Sequence, residues 1–334
     1  MGSIVAFFAV IAAVLIAFFG VSSGNMQYLF GVVVPYAALI IFVTGFIVRV
    51  LRWGSSPVPF CIPTTCGQQK SLPWIKQNRF DNPSTTFGVV VRMALEVLLF
   101  RSLFRNLKTQ MGGGQRLVYG EAKWLWLAGL AFHWSFLIIL VRHLRFFIEK
   151  VPVPVQMLEG IDSFMQVGAP LLYISDAVIL LAVTYLFVRR VFIPQMKYIS
   201  LPADYFPLFL ILGIAASGVL MRYFFKTNVT GVKELAMSLV SVSLSPDPKV
   251  LEGLGVIFYI HLFLISILFA YFPFSKLMHM GGVFMSPTRN MVNNSRMKRH
   301  INPWNYPVKV HTYEEYEDDF REKMKGAGIP VEKE

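Results

Sequence analysis

Cysteine is almost missing from this chain, with two among 334 residues. Two thiols cannot bind a four-cysteine iron–sulfur cluster, so any such cluster belongs to another subunit. Charge is sparse and lopsided: 15% of residues are charged, and the 19 acidic residues are outnumbered by 31 basic ones. The opening MGSIVAFFAVIAAVLIAFFGVSS has no basic residue before its apolar run and is long for the core of a secretory signal, so it reads as a retained span. There is no internal repeat and no C-x-x-C-H attachment motif for a covalent haem. Cys61 and Cys66, in CIPTTC, fall in a loop expected to face the reducing cytoplasm and are given no role.

What the chain has is apolar residues. They make up 55% of it, with 30 phenylalanines and a mean hydropathy of +0.56, a composition of integral membrane proteins rather than soluble cores. The net charge of +12 therefore reads as positive-inside charge in cytoplasmic loops, not as a nucleic-acid surface. Apolar stretches at Ser3–Phe19, Tyr28–Leu51, Trp124–Glu149, Ala169–Val188, Tyr205–Phe225 and Leu254–Met280 predict an all-α, six-span bundle. Residues 52–123 form a long basic loop, in which Phe87–Leu107 is apolar but broken by four charges and is expected to lie in the interface. With six spans the basic segments share one side, which puts both termini in the cytoplasm of a multi-pass inner-membrane protein.

Histidine is the other scarce residue, with six in all, and His300 and His311 lie in the polar tail. The third stretch carries His133 and His143, about 15 Å apart at a helical rise of 1.5 Å. The sixth carries His261 and His279, about 27 Å apart and five whole turns removed, so an unbroken helix would present both on one face. Intramembrane ionisable groups are costly and are functional candidates by default. Antiparallel third and sixth helices pair His143 with His261 and His133 with His279. A zinc site needs about four ligands close together, which this spread excludes. A haem carries its own four nitrogens and needs two axial ligands, so two pairs suit two non-covalent b haems.

FHWSFLIILVRH and FYIHLFLISILFAYFPFSKLMH resemble the cytochrome b subunit of respiratory nitrate reductase, the NarI-like family. The ten- and eighteen-residue spacings and the PF-S-K-L-x-H ending match it. PYAALIIFVTGFIVRVLRW is similar to that family's first span, so the likeness covers about residues 35–285. This divides the chain into an additional N-terminal span (1–27), a NarI-like di-haem domain (28–285, including the basic loop) and a cytoplasmic tail (286–334). The loop CGQQKSLPWIKQNRFDNPSTTFGVVVRMALEVLLFRSLFRN is similar to the DsrM group, the membrane cytochromes of Dsr complexes in sulfur-metabolising organisms. The resemblance implies two b haems on His133, His143, His261 and His279, with menaquinol as electron donor. It also implies a cytoplasmic DsrK-like iron–sulfur partner among other Dsr subunits, and a small sulfur-carrier protein as final acceptor.

The sequence departs from that family at Arg142, where the nitrate-reductase relatives have a glycine, and it has no clear counterpart of their quinol-site lysine. The quinol pocket is therefore read from chemistry alone. Glu149, Glu159 and Asp162 lie on the expected outer side as proton acceptors with Arg142 beside them, and Arg145 and Arg222 are candidate propionate contacts. The rival readings are the cytochrome of a nitrate or heterodisulfide reductase, and a haem-free anchor or transporter. The long Cys61–Asn106 insertion argues against a nitrate reductase.

Overall fold

A computed structural model describes residues 2–58, 67–105, 107–112, 116–165, 171–298, 307–308 and 310–333. Cys61 and Cys66 fall outside them. In chain order the elements are α1 (Gly2–Ser22), α2 (Val34–Gly54, entered through a wide turn at Leu29–Val33), α3 (Thr86–Leu99) and α4 (Arg101–Phe104). A ribbon of β1 (Leu107–Gly112) and β2 (Arg116–Glu121) leads to α5 (Lys123–His143) and α6 (Val153–Asp162). The short β3 (Ser163–Met165) and β4 (Leu172–Tyr173) precede α7 (Ile174–Phe192), α8 (Pro194–Ile199) and α9 (Pro202–Val219). Then come α10 (Val229–Val240), α11 (Pro248–Glu252), α12 (Val256–Tyr271), α13 (His279–Gly282), α14 (Pro287–Asn290) and α15 (Tyr313–Gly326). The protein is an all-α, multi-pass membrane protein with two small antiparallel ribbons.

Among the described residues, five helical segments are long and apolar enough to cross a bilayer: Gly2–Ser22, Leu29–Gly54, Lys123–Phe146, Pro202–Phe224 and Val256–Phe274. The remaining long helix, α7, has 19 residues and is as long as a span needs, but carries Asp176, Arg189 and Arg190 at its ends. The helices are turned inside out relative to a soluble protein. In α1 the buried residues are Ala6, Val10, Ala13, Ala17 and Val21, while Phe8, Ile16 and Phe19 point outward. Small residues at helical spacing let neighbouring backbones approach, and bulky apolar ones face lipid.

α5 packs along α7, α7 along α9, and α9 along α1 and α12, with α2 against the far side of α12. The centre of this bundle is Val10, Ile179, Val183, Leu210, Leu264 and their neighbours. A second cluster centred on Tyr259 and Leu235 closes the end where α10 and α11 fold over, with the Tyr259 hydroxyl donating to the Leu251 carbonyl at 2.6 Å. The segment 226–253, which joins the last two apolar stretches, thus holds two helices.

The expectation of one unbroken helix over Leu254–Met280 is corrected. α12 stops at Tyr271, two tight turns run through Phe272–Phe274 and Lys276–Met278, and α13 starts at His279. Pro273 has no N–H to give and its ring blocks the preceding turn. It is also wedged against α2, where a Cβ added at Gly45 would lie 2.7 Å from the Pro273 Cβ. The apolar stretch Phe87–Leu107 is α3 plus α4, too short to span. Its C-terminus is tied to α5 by two indoles, Trp126 Nε1 donating to Leu99 O (2.7 Å) and Trp134 Nε1 to Leu98 O (3.1 Å).

Candidate functional site

α5 and α12 are not packed along one another, and the histidines occupy the space between them. His133 and His279 face each other with ring centroids 5.9 Å apart and planes at 79°. Phe100 and Phe132 close over the His133 ring edge-on, at 4.9 and 5.0 Å. Phe100 sits in the left-handed region, φ 50°, a conformation costing about 1–2 kcal/mol for a residue with a Cβ. The fold holds it there and sets its ring on the histidine. At the other end, His261 is buried on α12 within electrostatic reach of His143, and the His143 ring lies 5.9 Å from that of Phe146.

All four rings are oriented through Nδ1. His133 donates to Gly129 O (2.7 Å), His143 to Ile139 O (2.7 Å) and His279 to Lys276 O (2.8 Å), each about one helical turn back. His261 instead reaches across to α9, where its Nδ1 meets Ser217 Oγ at 2.9 Å. That hydroxyl is already committed as a donor to Gly213 O and Ile214 O, so the imidazole supplies the proton. Gly218, the next residue, leaves room for the ring, since a Cβ there would lie 3.4 Å from His261 Cε1. No hydrogen bond among the described residues engages any Nε2. Fixing Nδ1–H in this way is how proteins prepare the other ring nitrogen as a metal ligand.

These residues fit a haem. The four imidazoles, each oriented through Nδ1, are the neutral nitrogen donors that would hold haem iron. Among the described residues no three His, Cys, Asp or Glu side chains converge as a cation site, so the histidines are paired rather than clustered.

Beside His143 the fold buries a charged network. Arg142, its side chain 8% exposed, pairs with Asp162 (3.1 Å) and Asp176 (2.8 Å) and lies 3.7 Å over the Tyr173 ring. Asp162 also accepts from Ser175 N (2.8 Å) and Ser175 Oγ (2.6 Å), and Asp176 from the Tyr223 hydroxyl (2.8 Å). Arg222 covers the same Tyr173 ring at 4.2 Å and donates to Leu171 O. The network clamps α5, α6, α7 and the end of α9 together, and removing one member of such a buried pair typically costs about 3–5 kcal/mol. Arg142 Nε, buried and without an acceptor among the described residues, is a donor left over for a carboxylate or a quinone oxygen.

The other candidates named from the sequence are placed differently. Arg145 pairs with Glu159 at 2.8 Å. Glu149 is exposed, and its backbone carbonyl accepts from Lys233 Nζ at 3.1 Å. Sequence reasoning does not single out Asp176, Tyr173, Tyr223 or Ser217. Asp176 carries a readable signal, an acid inside an apolar stretch. The others show only through contacts between distant segments.

A bundle of apolar helices holding paired, pre-oriented histidines defines a membrane protein of the cytochrome b type of architecture. Sequence comparison makes this specific: residues 84–299 match the nitrate reductase gamma subunit family, and the chain belongs to that family. It is 48% identical over 279 residues to an Hdr-like menaquinol oxidoreductase cytochrome b-like subunit of Archaeoglobus fulgidus, with 83% of each chain covered. A protein of the same description from Archaeoglobus profundus is 43% identical over 274 residues, with 81% of each covered.

Proposed function

We propose that this chain is the di-haem b subunit of a menaquinol oxidoreductase complex of the Hdr-like, DsrM-related type. It would oxidise menaquinol near the outer face and send electrons inward to a cytoplasmic DsrK-like iron–sulfur subunit serving dissimilatory sulfur metabolism. The observation that supports this best is the set of four histidines, all oriented through Nδ1 with Nε2 left free, beside relatives whose name specifies menaquinol oxidation. His143 and His261 would hold one haem towards the outer face, and His133 and His279 a second towards the inner face. Such haems, when bound, would supply one-electron carriers. The protein's part is to hold the imidazoles at fixed tautomer and distance, to exclude water with Phe100 and Phe132, and to balance charge at the outer end through Arg142, Asp162 and Asp176. Arg222, and Arg145 where Glu159 leaves it free, are the proposed propionate contacts.

In this reading α7 is the fourth of six spans, with Asp176 drawn inward by Arg142 and with Arg189 and Arg190 at the cytoplasmic surface. The domain division into residues 1–27, 28–285 and 286–334 belongs to the same proposal. A reduced-minus-oxidised spectrum with haem quantified per chain tests it. The expected result is two b haems reducible by a menaquinol analogue in the wild type, and one in His261→Ala. Two haems retained in that variant overturn the pairing, and none in the wild type favours a haem-free anchor.

A further inference from the structure

A cavity of about 350 Å³ opens beside the His143 end of α5, lined by Arg145, Phe146, Val229, Lys233, Glu234 and Met237 among others. Its size falls within the range of small-molecule sites. Phe146 forms part of its wall, and the same ring lies 5.9 Å from that of His143. One aromatic side chain therefore separates the cavity from the histidine. The walls alternate apolar faces (Phe146, Val229, Met237) with two cations and one carboxylate.

The charges are not equivalent. Arg145 is held by Glu159 (2.8 Å) and Lys233 by the Glu149 carbonyl (3.1 Å), so both are positioned donors. Glu234 is an exposed residue at the cavity wall, and its carboxylate has no ion pair or hydrogen bond among the described residues. By contrast Asp162 and Asp176, the carboxylates beside His143, are both locked to Arg142. A larger cavity, about 420 Å³ between α2 and Pro273–Phe274, is lined by apolar residues with Arg49, Arg52 and Thr44. It has donors but no base.

We infer that the cavity between Phe146 and α10 is where the quinol head group is oxidised, and that Glu234 is the residue that takes its protons. This rests on the menaquinol reading above and adds to it the site and the base. Oxidation of a quinol to a quinone breaks two O–H bonds. The two electrons leave one at a time to a one-electron acceptor, the haem that His143 and His261 would hold under that reading. Each proton passes to the Glu234 carboxylate and from there to water, which regenerates the base. Lys233 donates to a quinol oxygen and the ring rests against Phe146. The three carboxylates expected from the sequence to serve here are placed otherwise. Glu149 does not line the cavity, Glu159 is engaged with Arg145, and Asp162 is buried under Arg142.

The test uses membranes containing the whole complex and a fluorescent hydroxyquinoline N-oxide, a quinol analogue whose emission is quenched on binding. Val229→Trp fills the cavity and is expected to weaken binding of the probe more than about tenfold, with haem per chain unchanged. Glu234→Gln is expected to keep probe affinity and lower the rate of haem reduction by quinol about 100-fold, the lower end of what a general base contributes. Full probe affinity in Val229→Trp with haem intact overturns the site, and an unchanged reduction rate in Glu234→Gln overturns the base. Wild-type membranes with no haem on this chain would instead overturn the functional reading on which both stand.

Discussion

At the scale of single residues, His261 differs from its three counterparts. They donate Nδ1–H to carbonyls of their own helical turn, whereas His261 donates to a hydroxyl on another helix. A hydroxyl that already donates its proton is a fixed but neutral acceptor. Ser217→Ala removes it and weakens the pairing of a buried N–H, at about 1–3 kcal/mol if the N–H finds no other acceptor. Outer partners of metal-bound histidines are commonly worth about 10–100-fold in metal affinity. Ser217→Ala is therefore expected to weaken retention of one haem by about that factor, with Ser217→Thr close to wild type. Haem titration of the apoprotein measures this, and equal affinity in the Ala variant would show that Ser217 does not hold the ring. The histidines themselves are legible in the sequence because ionisable residues stand out in apolar runs. Ser217 is not, since a serine inside a span most often bonds its own helix and nothing in the sequence says which helix lies across from it.

At the scale of elements, the break at Pro273 and the docking of α3 on α5 decide where His279 and Phe100 sit. Length and hydropathy favour an unbroken helix over Leu254–Met280, and proline is the one signal against it. The tail helix α15 shows how a local pattern can be read more securely. Thr312 and Glu315 form a capping box at its start, a motif visible in the sequence. Its further contact is tertiary: Glu317 accepts from Glu332 N (2.7 Å) and Lys333 N (2.9 Å), which folds the last residues back on the helix. Those two backbone N–H groups, aided by Arg321, hold the Glu317 carboxyl below its ordinary value of 4.5. A depressed carboxylate stabilises the contact above its unfolded pKa and loses it as pH falls through the folded one. Hydrogen exchange at residues 332 and 333 is therefore expected to be slow, once corrected for its intrinsic pH dependence, at neutral pH and to accelerate below about pH 4. Glu317→Gln should weaken the protection at neutral pH, and protection that is pH-independent in the wild type would exclude the carboxylate as its source.

At the scale of the whole molecule, the number of crossings fixes which histidine lies at which face. α7 has 19 residues, about 28 Å of helix at 1.5 Å per residue, close to the roughly 30 Å hydrocarbon core. If it crosses, the 226–253 segment is outside and the tail inside. With Cys61 and Cys66 replaced by Ser, a cysteine introduced at Ser243 is expected to react with an impermeant maleimide in intact cells. One introduced at Asn294 is expected to react only after permeabilisation, and the reverse pattern would mean that α7 does not cross. The sequence by itself determined the membrane setting, the helical class and which residue types stand out of place in it. Those properties follow from composition and from periodicity along one segment, where each residue's neighbours are known. Only the tertiary structure decided that Arg142 clamps Asp162 and Asp176, that Ser217 and Gly218 cradle His261, and that Glu234 lines a cavity behind Phe146. Each of those contacts joins segments far apart in the chain. In a bundle whose helices are apolar on every side, no amphipathic stripe announces which face meets which neighbour.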